Sequence, residues 1–159
     1  MPTHSEQRVL PYSASEMFAL VADIGSYPLF LPWTAAARIR SRADVSGADG
    51  VAGEVVEADL VISFKVFREK FGSRVTLWPG SGLIETEYLD GPFKHMKSSW
   101  KFTERAEGGS VVDFFVDFEF RNRILQGIIG VVFNEAMLRV VRAFERRAVE
   151  LYGARLPVS

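Results

Sequence analysis

The sequence predicts an α+β fold: a curved antiparallel sheet of about six or seven strands around one long C-terminal helix, with two short helices after the first strand. Three observations predict it. Between residues 35 and 120, apolar and polar residues alternate with a period of two, as in a sheet covered on one face only. From Asn122 to Tyr152 there is no proline, and apolar residues recur at spacings of three and four. Ahead of the strands lie two helical stretches too short to be stable alone, which must rest on something larger.

Residues 5–12 read as the first strand, closed by Pro11. Ser13 and Glu16 form the pattern S-x-x-E, a capping box in which each side chain satisfies an orphan amide at a helix start. Met17, Phe18, Leu20, Val21 and Ile24 give the apolar side of that helix, expected to end near Gly25. Ser26 is placed to cap a second short helix that Pro32 stops. In the strand region Val56, Ala58, Leu60, Ile62 and Phe64 make one inward row, and Phe67, Phe71, Val75 and Leu77 the next. Met96, Trp100 and Phe102 follow, and Val112, Phe114, Val116, Phe118 and Phe120 alternate with Asp113, Asp117 and Glu119. Breaks fall at Ser46-Gly47, Pro79-Gly80, Asp90-Gly91-Pro92 and Gly108-Gly109. On the last helix Phe133, Met137, Val140, Val141, Phe144, Ala148 and Leu151 share one stripe, and Gly153 supplies the stop.

The chain of 159 residues fits one domain, 1–159. Its net charge of -1 argues against affinity drawn from bulk positive charge. It has no cysteine, which excludes disulfides and thiolate sites, and its two histidines, His4 and His95, leave little for a metal. No metal and no catalytic residue is therefore expected. Asp113, Asp117 and Glu119, like Glu85 and Glu87, belong to faces that should be solvated, and His95 reads as a surface residue. No nucleophile-plus-base arrangement, P-loop or dinucleotide-binding motif is present. Thirteen phenylalanines among the aromatic residues suit an apolar cavity better than a reaction centre. The N-terminus has no secretory pattern, and the apolar stretch 124–133 falls short of the ~20 residues that cross a bilayer. A cytoplasmic location follows as the expectation.

Two features of the last helix go beyond packing. Gly127 and Gly130 are expected to leave room between helix and sheet, either for close contact or for a ligand. Ile124, Ile128, Val131 and Leu138 lie near the back of the helix, with Arg139, Arg142 and Arg146 further along. Residues 121–155 hold seven arginines against three glutamates. An apolar patch beside arginines suits a peripheral membrane contact, a protein or RNA partner, or a second copy of the chain; the alternatives are that a loop or the short helices cover the patch and that the arginines form a solvated helix face.

Four stretches carry a family resemblance. The opening Ser13-Ala14-Ser15-Glu16-Met17-Phe18-Ala19-Leu20-Val21-Ala22-Asp23-Ile24, with Tyr27-Pro28 and Phe30-Leu31-Pro32-Trp33, is the first. Phe64-Lys65-Val66-Phe67-Arg68-Glu69 with Ser73-Arg74-Val75 is the second, and Gly91-Pro92-Phe93 with Trp100-Lys101-Phe102 the third. Ala143-Phe144-Glu145-Arg146-Arg147-Ala148 near Tyr152-Gly153 is the last. In this order they resemble the coenzyme-Q-binding family of START-like, helix-grip proteins over about residues 3–153. The resemblance implies a non-enzymatic lipid-binding domain that holds ubiquinone, as a ligand and not a catalytic cofactor, or a related polyprenyl lipid. Such proteins act as chaperone or carrier in respiration or quinone biosynthesis. Bacterial relatives are also described as ribosome-association toxins that block subunit joining, which makes a ribosomal subunit the alternative partner. A cyclase or hydrolase on the same fold is the third reading. Eukaryotic members carry a mitochondrial extension that this chain lacks, which points to a bacterial protein at the inner face of the membrane.

On this reading the tail would lie against Phe64, Phe71, Trp100, Phe102, Phe114, Phe133 and Met137. Pro32, Trp33, Pro92 and Phe93 would form the mouth, and Lys65 and Arg68 would meet a head group or lipid phosphate.

Overall fold

The computed structural model describes residues 3–64 and 67–156. The chain runs through β1 (Thr3–Leu10), α1 (Ala14–Ala22) and a 3-10 helix (Ile24–Leu29). Six strands follow: β2 (Thr34–Ser46), β3 (Ala52–Phe64), β4 (Phe67–Trp78), β5 (Leu83–Asp90), β6 (Phe93–Glu104) and β7 (Ser110–Phe120). The last element is α2 (Arg123–Tyr152). All seven strands form one antiparallel sheet in the order β1-β7-β6-β5-β4-β3-β2. Each strand from β2 to β7 pairs with its neighbour in sequence, and the two short helices carry the chain from one edge strand to the other. The architecture is the α+β arrangement that the alternation predicts.

The register builds continuous rows of side chains on the inner face. Phe114 sits opposite Trp100, Trp100 opposite Ile84, and Ile84 opposite Leu77. All four are buried, and each cross-strand pair adds stability through direct contact. Helix α1 begins as its sequence dictates. The Ser13 hydroxyl accepts from the Glu16 amide at 3.0 Å and the Glu16 carboxylate accepts from the Ser13 amide at 2.9 Å. The second short helix differs from expectation. It starts after Asp23, and Ser26 lies inside it, donating to the Asp23 carboxylate at 2.6 Å. Its turns close through i to i+3 bonds from the Ser26 amide to the Asp23 carbonyl and from the Phe30 amide to the Tyr27 carbonyl, which puts Pro28 second in a turn where its missing amide is not used.

Asn122 caps α2 by accepting from the amides of Ile124 and Leu125, and Gly153 ends it with a φ of 85°. The buried stripe is Leu125, Ile129, Phe133, Ala136, Val141, Ala143, Phe144 and Ala148. Leu151 is 49% exposed, against expectation, because the last turn meets α1 through its neighbour. The Tyr152 hydroxyl donates to the Glu16 carbonyl at 2.9 Å, and that of Tyr12 to the Gly153 carbonyl at 2.8 Å. By length and composition α2 is apolar enough to cross a bilayer, contrary to the sequence expectation, but its buried stripe lies on the sheet. Gly127 and Gly130 also correct an expectation. Both are exposed, and a Cβ at either would meet nothing within 4 Å. They thin the outer side of the helix and leave no room on the inner one.

Candidate functional site

Beneath the first two-thirds of α2 the concave face of the sheet is not filled. A cavity of about 240 Å³ lies there. Its floor comes from Leu60, Ile62 and Phe64 of β3 and from Phe67 and Phe71 of β4. Phe93 and Met96 of β6 and Val116, Phe118 and Phe120 of β7 extend that floor. Leu125, Ile129, Ala136, Met137 and Val140 of α2 form the roof. The space exists because side-chain size changes along the helix. Toward the C-terminus Phe144 fills the gap, its ring 4.9 Å from Trp100 and 5.3 Å from Phe30. One and two turns earlier the helix offers the smaller or unbranched side chains of Val140, Met137 and Ala136, which line the cavity.

One wall is the entry to β2. Trp33 there adopts a φ of 61°, a left-handed conformation that is rare for a bulky residue and costs about 1–3 kcal/mol. Its carbonyl accepts from the Ser63 amide at 2.8 Å, and its ring meets Phe64 edge-on at 5.7 Å. Strain of this kind persists where surrounding contacts over-determine it, and here it sets an indole across the cavity's opening. Outside that indole lies a shallow cleft lined by Trp33, Phe64, Val132, Glu135, Ala136 and Arg139. Trp33, Phe64 and Ala136 belong to both spaces and so form the partition between them.

The opposite wall depends on a glycine. Gly91 has a φ of 135°, and a Cβ there would come within 2.6 Å of the Phe71 Cβ. The close turn brings Phe93 5.2 Å from Phe71 and 4.7 Å from Phe120, and the Phe93 amide donates to the Tyr88 hydroxyl at 3.1 Å. The polar side chains of the lining are Thr34 and Glu69. They occupy one row across three strands, since Thr34 pairs with Ile62 and Ile62 with Glu69.

Of the residues singled out in the sequence, Pro32, Trp33, Phe64, Phe71, Phe93 and Met137 line the cavity. Trp100, Phe102, Phe114 and Phe133 do not; they are core. Trp100 packs on Phe114 at 4.4 Å, Phe102 on Phe18 at 5.9 Å, and Phe133 on Phe118 at 5.2 Å. Pro92 is half-buried in the turn before β6, where its carbonyl accepts from the Arg121 amide, and it is not part of the lining. Arg68 is exposed, with parity opposite to the lining residues Phe67 and Glu69, and Lys65 lies outside the described residues. On the outside of α2, Ile124 and Val131 are 71% and 86% exposed, Ile128 and Leu138 are half-buried, and Arg139, Arg142 and Arg146 are exposed.

Sequence reasoning passed over Glu69, although it follows Phe67 by two and precedes Phe71 by two. It also missed the inward polar row of β1. His4 contacts Glu6 at 3.1 Å, Glu6 contacts Arg8 at 2.5 Å, and Arg8 reaches Glu145 of α2 at 3.4 Å. His95 is half-buried and bonded to Asp117 at 3.1 Å.

The perturbed titrating groups lie away from the cavity. The Arg155 guanidinium holds the Glu16 carboxyl down to about 2, helped by the Ser13 amide. Hydrogen bonding to Arg40 at 2.5 Å holds Asp59 below the usual carboxylate range. Burial pushes the Tyr27 phenol up, its hydroxyl donating to the Val21 carbonyl. Among the described residues no cluster of His, Asp and Glu could hold a metal ion.

The model of the polyketide cyclase/dehydrase and lipid transport family matches residues 10–145. Ribosome association toxin RatA of Rickettsia prowazekii is 39% identical over 95% of this chain and 99% of its own. The mitochondrial coenzyme Q-binding protein COQ10 homolog B of Xenopus laevis is 29% identical over 94% of this chain and 59% of its own. Among solved structures, an 18 kDa protein from Caulobacter crescentus superposes with a TM-score of 0.76 at 32% identity, covering 97% of this chain and 100% of that one. The Zhui aromatase/cyclase from a Streptomyces species shares the fold alone, with a TM-score of 0.72 at 17% identity over 92% and 93% of the two chains. By sequence and by architecture, the chain belongs to the START-like polyketide cyclase/dehydrase and lipid transport family, together with the RatA proteins and the COQ10 homologue.

Proposed function

We propose that this protein binds ubiquinone or a related polyprenyl lipid in the cavity under α2 and carries it without catalysing a reaction on it. The observation behind this reading is a chamber walled mostly by carbon, with Thr34 and Glu69 its polar side chains and the strained Trp33 at one end. At about 240 Å³ it is smaller than the ~300–1,000 Å³ typical of pockets for drug-sized ligands. It suits a quinone ring or the first units of a prenyl tail, not a whole long-chain lipid. The remaining tail would leave past Trp33 and Phe64 into the outer cleft, with each Å² of apolar surface buried supplying ~25 cal/mol. The coenzyme Q-binding name of the Xenopus relative supports the same ligand class. The exposed Ile124 and Val131, with Arg139 and Arg142 further along α2, suit contact with an anionic membrane surface. On this reading the protein works as a peripheral partner of a membrane, with the cytoplasmic face the side proposed.

Organic extraction of the purified protein, followed by mass spectrometry, tests this reading. A bound quinone or polyprenyl lipid in stoichiometric amount is the expected result. Protein that emerges empty and takes up no added short-chain ubiquinone would overturn it.

A second reading rests on a different observation. The Rickettsia relative bears the name ribosome association toxin, and the exposed Arg139, Arg142 and Arg146 offer a phosphate-binding stripe. Sedimentation of ribosomes with added protein separates the two. Loss of the joined particle, removed by reversing the charge of these arginines, favours the second; an unchanged profile excludes it.

A further inference from the structure

The polar lining of the cavity is Thr34 and Glu69, and both are better acceptors than donors in this setting. Glu69 belongs to the inward row of β4 between Phe67 and Phe71 and lines the cavity, and its carboxylate makes no hydrogen bond or ion pair among the described residues. As a carboxylate it accepts hydrogen bonds and cannot donate one. The Thr34 hydroxyl is directed at the Pro32 carbonyl at 3.4 Å, which leaves its lone pairs toward other partners. The two residues stand on either side of Ile62, two strand intervals apart, or about 10 Å between backbones.

A ring entering this space displaces water from Glu69. If the ring offers no donor, the carboxylate is left desolvated and unpaired, which is costly; if it offers a hydroxyl, the cost becomes a charge-assisted bond. A quinone has carbonyls that only accept. Its reduced form, a quinol, has two para hydroxyls that donate. We infer that the cavity discriminates by the oxidation state of its ligand and takes the quinol in preference to the quinone, with Glu69 accepting from one ring hydroxyl. This inference rests on the quinone-binding reading above and assigns no redox step to the protein.

The test is calorimetric titration, under argon, of the full chain with decyl-ubiquinone and with the same compound reduced to decyl-ubiquinol. Wild-type protein is expected to bind the quinol at least about tenfold more tightly, the low end of the range for one hydrogen bond to a charged group. Glu69→Gln, whose amide both donates and accepts, is expected to bring the ratio close to one while leaving the melting temperature near that of wild type. Equal binding of both forms by wild-type protein overturns the inference and leaves the quinone reading standing. A quinol preference that survives in Glu69→Gln also overturns it. If neither form binds, the quinone reading falls and takes the inference with it.

Discussion

Glu16 shows how much a single side chain does in this fold. It closes the capping box of α1, and its carboxylate also takes a two-pronged bond from Arg155 at 2.6 and 2.8 Å. Arg155 in turn lies 4.8 Å above the Tyr12 ring, so the last described residues are fixed to the start of α1. Because the folded-state value of Glu16 is about 2, below its ordinary 4.5, this tie adds stability above about pH 4.5 and loses it as pH falls toward 2. Arg155→Ala is therefore expected to melt earlier than wild type at neutral pH, with the gap closing between pH 4.5 and pH 2. Thermal melts across that range check it, and a gap that persists at pH 2 would contradict the assignment. Trp33 is the other telling residue. Nothing in its local sequence signals a φ of 61°; the conformation comes from its bond to Ser63 and its contact with Phe64, residues thirty positions away.

At the scale of elements, α2 changes character along its length. Its C-terminal third brings Phe144 onto Trp100, while the stretch from Leu125 to Val140 roofs the cavity and turns Gly127 and Gly130 to the outside. Each glycine is expected to cost about 1 kcal/mol relative to alanine, with no neighbour to object to a methyl group. Gly127→Ala and Gly130→Ala should each stabilise the protein by about 0.5–1 kcal/mol in urea denaturation. Destabilisation by either would mean that this face packs against something, such as a second copy of the chain. The direction of Gly127 was readable from the helical period, since two residues on from buried Leu125 is about 200° around the axis. The strands were legible for the same kind of reason: Val112, Phe114, Val116, Phe118 and Phe120 declare one face by parity alone. Parity does not say which of those five meets a cavity. Phe114 is covered by Trp100, whereas Phe118 and Phe120 reach open space, and only the placement of α2 decides between them. That is why six lining residues were named from sequence and four core residues were named with them.

Across the whole molecule, one sheet and one helix enclose a chamber that their own side chains do not fill, and the binding reading depends on that chamber. Ala136 stands at its partition, shared between the cavity and the outer cleft. A phenylalanine there would project into the empty volume instead of displacing packed neighbours, so the overpacking cost of about 1–3 kcal/mol usual in a filled core should be largely avoided. The most direct measurement is a titration of decyl-ubiquinol and decyl-ubiquinone into wild-type protein and Ala136→Phe, followed by calorimetry and by thermal melting. Saturable binding to the wild type is expected, with at least a tenfold loss in Ala136→Phe and a melting temperature that does not fall by more than a few degrees. Equal affinity in the two proteins, with both folded, would contradict it.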